Sequence, residues 1–200
     1  MYLLGGFLVI LSANYFCEAC YLHLRHLGQI RKFLTQDATA TLVHAFITSK
    51  LDNLNSLLHG IPEYLIDRLQ LLQNQAAKLV LRRKKFESVT PLLKALHWLP
   101  IHQRLDFKIL LLTYKCLNGQ APEYLISLLQ TYKPPRALRS SSKELLVEPK
   151  YRVDSYGKRT FSVIAPRLLN ALPVDIRSSG SVSSFKSALK THLFKQAFHK

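Results

Sequence analysis

The chain has 200 residues, enough for one domain or two small ones, and its 48% apolar content excludes wholesale disorder. Lys and Arg number 28 against 12 Asp and Glu, a net charge of +16 at neutral pH. That excess points to a polyanionic partner, nucleic acid before anionic membrane. Three cysteines build no disulfide framework and suit a reducing compartment.

Met1 to Cys17 carries no charged side chain and reads as a short signal or membrane segment, or as an extra apolar helix. Gly5-Gly6 and the lack of a basic leading region weaken the first reading, and the length sits at the lower edge of a membrane span. Cys17 and Cys20 form a CxxC with no second ligand pair at metal-binding spacing. On a helix they share a face with Leu24, which makes them buried thiols, and no metal or cofactor is expected. Tyr15 to Phe33 is a helical pattern, basic on its polar side (Arg25, His26, Arg31, Lys32).

Thr35 to Asp37 is a break with capping residues, and Ala38 to Leu58 a second helix ended by Gly60. Pro62 is expected at the first helical position of a third helix that runs to about Leu81. It leads into Arg82-Arg83-Lys84-Lys85, which is either a solvated helix end or a phosphate contact. Leu96-His97-Trp98-Leu99-Pro100 breaks before a central helix from His102 to Asn118. There Leu105, Ile109, Leu112 and Cys116 make one apolar stripe. Phe107, Leu110, Leu111, Tyr114 and Leu117 make a second beside it. Gly119 stops this helix, and Pro122-Glu123-Tyr124-Leu125-Ile126 repeats the pentapeptide at Pro62.

After Leu129 the texture changes. Tyr132 to Lys143 reads as an exposed, basic linker. Leu145 to Glu148 is a candidate short strand with Tyr151-Arg152-Val153 as its partner. Pro166 is expected to open a short helix through Ala171, ended by Pro173. The last helix has Ser183 or Ser184 as its N-cap and Phe185, Leu189 and Leu193 on one face. The fold class is therefore mainly α: a helical bundle, then a small basic α+β or irregular C-terminal appendage. The expected boundaries are 1–13 (apolar segment), 14–129 (helical domain) and 130–200 (basic extension).

No glycine-rich phosphate loop, HExxH or Gly-x-Ser-x-Gly occurs, and the acids are scattered. No spaced aspartate pair suits two magnesium ions. Catalysis is not expected. The basic candidates for phosphate contact are Arg82, Arg83, Lys84 and Lys85 in one patch, and Arg136, Arg139, Lys158 and Arg159 in another.

Several motifs occur together in order. They are Leu51-Asp52 with Asn55-Ser56-Leu57-Leu58 and Gly60; Leu69-Gln70, Gln73-Asn74 and Ala76-Ala77; and Leu96-His97-Trp98-Leu99-Pro100. Leu138-Arg139-Ser140 follows, then Phe161-Ser162, Ala165-Pro166-Arg167-Leu168, Asn170 and Leu172-Pro173, and finally Ser184-Phe185-Lys186 with Leu193-Phe194. From about Phe16 onward the chain resembles the C-terminal part of the open reading frame of non-LTR (LINE-type) retrotransposon reverse transcriptases. The resemblance implies the helical thumb and post-thumb region, which holds template and primer. The catalytic aspartates of that family belong to the palm, and no position here corresponds to them. Met1 to Ala13 departs from the family, Asn53-Leu54 stand where Tyr-Cys is usual, and Leu169 where tryptophan is common.

The expectation is a truncated, catalytically inert copy that binds RNA or DNA through phosphates, in the nucleus or cytoplasm. The alternative is a small basic membrane-anchored or secreted protein, carried by Met1 to Cys17.

Overall fold

The computed structural model describes residues 2–52, 59–132, 145–151, 157 and 159–198, and the chain is mainly α-helical. Two compact units are distinguished, Met1–Arg104 with Ala197–Lys200, and Leu105–Gln196. The boundary expected after Leu129 falls inside the second.

In the first unit, helix α1 (Tyr2–Ile30) ends in a single 3-10 turn, Arg31–Phe33. The apolar start is continuous with this helix, and no helix among the described residues is long and apolar enough to cross a membrane. Phe16, Cys17, Cys20, Leu24 and Leu27 are buried and form one helical face, so the two thiols lie in the core as their spacing predicts. Burial pushes all three thiols up. Cys20 reaches about 11 despite the pull of Lys50.

Helix α2 (Gln36–Val43) starts at Thr35, whose hydroxyl accepts the Ala38 N–H at 3.2 Å. A π-turn, His44–Thr48, follows, and the helix continues to Asp52. Positions four apart on an α-helix drift by about 40°, and the wider turn cancels much of that drift. Val43, Ile47 and Leu51 can then all stay buried. The expected end of this helix at Leu58 lies outside the described residues.

Helix α3 (Glu63–Val80) begins one residue later than expected. Pro62 is its N-cap, at φ −54°, ψ 142°, not its first helical residue. Leu65, Leu69, Leu72, Ala76 and Val80 are buried along the face that meets α1 and α2. The helix closes with the Arg83 N–H on the Lys78 carbonyl at 2.9 Å, which puts Arg82 at φ +52°. Helix α4 (Thr90–Ala95) closes in the same way, with the Trp98 N–H on Leu93 and His97 at φ +53°. Both are left-handed positions that glycine usually takes.

The Leu96–Pro100 loop is pinned to α3 by amides. Gln73 is 2% exposed and donates to the Leu99 carbonyl at 2.9 Å. Gln70 accepts the Ile101 N–H at 2.9 Å, satisfying a free amide at the next helix start. Arg104 donates to Asp52 at 2.7 Å, with the side chains 17% and 22% exposed.

Helix α5 (Ile101–Leu117) is the central helix of the sequence reading. Leu105, Phe107, Ile109, Leu110, Tyr114 and Cys116 are buried. Leu111 and Leu112 are half-buried, and Leu117 is exposed as the last helical residue. Gly119 ends it at φ +66°, with the Gln120 N–H on Lys115 at 2.8 Å. Short helix α6 (Glu123–Ile126) starts behind Pro122 with the backbone geometry of Pro62.

Helix α7 (Phe161–Ala171) corrects the reading of Pro166, which lies buried inside the helix and does not open it. An interior proline costs about 3 kcal/mol. The burial of Val163, Ile164 and Ala165 upstream, with Ile164 and Ala165 against Ile109, offsets that cost. Leu172 is extended, as a residue before proline tends to be, and helix α8 (Val174–Arg177) starts behind Pro173.

Helix α9 (Val182–Phe198) buries Phe185, Leu189 and Leu193, the expected face. Its cap is Ser181, whose hydroxyl accepts the Ser184 N–H at 3.1 Å, in place of Ser183 or Ser184. The Tyr114 and Phe185 rings stack with centroids 4.1 Å apart. Among the described residues the expected strand at Leu145 reduces to one antiparallel bridge, Thr131 with Leu146. Asn170 occupies the other edge of Leu146, accepting its N–H at 3.0 Å and donating to its carbonyl at 2.9 Å. A side chain thus supplies what a neighbouring strand would. Of the expected partner Tyr151-Arg152-Val153, the last two residues lie outside the described residues.

Candidate nucleic-acid interface

Adjoining faces of α1 and α3, part polar and part apolar, bound a cavity of about 650 Å³ in the first unit. From α1 come Tyr21, Leu24 and Arg25, spaced three and four apart, with Arg31 in the turn beyond. From α3 come Leu71, Asn74, Gln75, Lys78 and Leu79, again one helical face. Arg83, Lys85 and Val89 close one end. Arg25, Arg31, Lys78, Arg83 and Lys85 therefore converge on one groove, and among the described residues no carboxylate lines it. The leucines and Val89 provide an apolar lining, while Asn74, Gln75 and the Tyr21 hydroxyl add neutral polar groups. Burial and then the Cys17 thiol push the Tyr21 phenol up, against the pull of Arg68, so it remains a neutral donor.

The basic run at 82–85 divides by role. Arg82 is turned onto backbone: its guanidinium donates to the Leu34 carbonyl at 2.6 Å and reaches the Arg31 carbonyl at 3.5 Å. It thereby joins the end of α3 to the end of α1, where helix C-termini concentrate carbonyl charge. Arg83 and Lys85 line the groove. Arg83 also approaches Glu87 at 3.8 Å in an exposed pair, a geometry of little energetic weight. Lys84 is exposed and not among the lining residues; its backbone N–H donates to Glu87 at 2.9 Å.

The second expected patch cannot be assembled in the same way. Arg136, Arg139 and Lys158 lie outside the described residues, and Arg159 is half-buried just before α7 in the second unit. That unit has a separate cavity of about 440 Å³, lined in part by Tyr114, Asn118, Tyr132 and Arg177.

Sequence reasoning had Arg25 and Arg31 on the polar side of the first helix but did not connect them with Arg83 and Lys85, and it passed over Lys78. The available signal was the helical spacing of Asn74, Gln75 and Lys78 ahead of the basic run. Among the described residues no group of three or more His, Cys, Asp or Glu is placed to hold a metal ion. Comparison with protein-family models, curated proteins and solved structures finds no match to this chain.

Proposed function

We propose that this chain is a catalytically inert nucleic-acid-holding module, related to the thumb and post-thumb region of LINE-type reverse transcriptases, that binds phosphates without regard to base sequence. The observation that carries the reading is the groove between α1 and α3, with five cations and, among the described residues, no lining carboxylate. Phosphate contacts give affinity and register but read no bases, and the five cations outnumber the two lining amides, Asn74 and Gln75, of which Asn74 already accepts from Gln70 at 2.8 Å. Support for the ancestry comes from the residues that carry the resemblance. Gln73 is bonded to Leu99 within the Leu96–Pro100 motif, Gln70 to Ile101 just after it, and Asn170 clamps Leu146.

The test is binding as a function of salt. If all five cations meet phosphates, log affinity falls against log salt with a slope of about −4.5 for duplex and about −3.5 for a single strand. Alanine at Arg25, Arg83 or Lys85 flattens the slope by about 0.7 to 0.9 each, and alanine at Lys78, whose ammonium donates to the Lys85 carbonyl, flattens it by less. Arg82→Ala leaves the slope unchanged, because that side chain is engaged with Leu34. Wild-type affinity and slope in a variant lacking all five groove cations sinks the reading, as does failure of the intact protein to bind any nucleic acid at low salt.

A further inference from the structure

Two stretches of like composition each contribute one cation to the groove: Arg31-Lys32-Phe33 at the end of α1 contributes Arg31, and Lys84-Lys85-Phe86 after α3 contributes Lys85. Their phenylalanines are unusually open, Phe33 at 77% and Phe86 at 93% exposure. Each ring carries a lysine: Lys32 Nζ lies 4.8 Å from the Phe33 centroid and Lys85 Nζ 5.9 Å from that of Phe86. Arg31 and Lys85 line the groove itself. The Arg82 guanidinium, on the Leu34 carbonyl, ties the two segments together. Neither ring belongs to the buried core.

From this arrangement we infer that the groove takes single-stranded nucleic acid in preference to duplex, with unpaired bases stacked on Phe33 and Phe86. The inference rests on the phosphate-binding reading of the same groove and names its ligand class. In a duplex both faces of each base are covered by neighbouring bases, so only an unpaired base can present a face to a protein ring. A lysine over one face of a phenylalanine leaves the other face free, and strengthens the site through its attraction to both ring and phosphate. Phenylalanine has no hydrogen-bonding group, so such stacking does not distinguish bases.

The experiment compares the full chain with Phe33→Ala/Phe86→Ala and Phe33→Trp/Phe86→Trp variants. Each is titrated against an oligonucleotide single strand, an equal-length duplex, and phosphatidylserine-containing vesicles. Both positions are exposed, so the substitutions leave the core intact. The expected result is tighter binding of the single strand than of the duplex. The alanine variant should lose single-strand affinity by about tenfold per ring, with duplex affinity and the salt slope unchanged. The tryptophan variant should keep the preference. Equal affinity for both forms, with no effect of removing the rings, overturns the inference and leaves the phosphate reading intact. Absence of binding to either form at low salt defeats both. Ring-dependent binding to the vesicles that exceeds binding to the single strand assigns Phe33 and Phe86 to a lipid surface, and also overturns the inference.

Discussion

Replacing Gln73 by leucine tests whether one buried amide holds the Leu96–Pro100 loop on α3. The two side chains are close in size, so neither a cavity nor a clash dominates the outcome. What disappears is the donor to the Leu99 carbonyl, at 2.9 Å, and the acceptor for Gln70, at 3.0 Å. Gln70 is half-buried and keeps its bond to Asn74 at 2.8 Å, so its loss is small. Leu99 is buried, and a buried carbonyl left without its donor costs about 1–3 kcal/mol. The extra apolar burial of leucine offsets part of this, for a net loss of about 1–2 kcal/mol. Urea unfolding followed by the emission of Trp98, the only tryptophan and the neighbour of Leu99, reports on this loop directly. Gln73→Glu is the sharper companion, because a carboxylate at that place cannot donate to Leu99. Burial raises the folded-state pKa of the new acid above its unfolded value of about 4.3. Its stability is therefore retained below about pH 4.3 and lost as pH rises through the folded value. A loss under about 0.5 kcal/mol for the leucine variant would refute the reasoning, placing it with ordinary surface substitutions.

Leu110→Ala, at a buried position of α5, is expected to lower the stability of the second unit by about 2–5 kcal/mol in chemical denaturation; a negligible change would mean that the helix is not packed as described. The thiols of Cys17, Cys20 and Cys116 are buried and should react with a thiol reagent at mildly alkaline pH only after denaturant is added. With Cys20 raised from 9.0 to about 11 in the folded chain, its contribution to stability is intact below pH 9.0 and declines as pH rises towards 11, because the unfolded thiol ionises first. Cys20→Ala should flatten that part of the stability profile, and an unchanged profile would place the thiol in water.

Local patterns in the chain determined much of this architecture. Apolar stripes at helical spacing identified the buried faces of α1, α5 and α9, because a side chain's face follows from its position along a regular helix. Gly119 and Pro173 marked ends for reasons confined to their own backbone, φ in one case and the residue before proline in the other. The same local logic misplaced the starts at Pro166 and Ser181, where burial of the preceding turn and a serine two residues upstream governed the boundary. It could not see Arg82 and His97 in left-handed positions, since neither residue type demands that backbone. The groove was beyond its reach for a different reason. Helical spacing puts Lys78 beside Asn74 and Gln75 on one helix, but the sequence alone does not say that this face of α3 lies beside the Tyr21–Arg25 face of α1. Only tertiary structure decided that Arg25 and Arg31 share a cavity with Lys78, Arg83 and Lys85. It alone turned Arg82, identical in charge to its neighbour, onto a backbone carbonyl 48 residues away.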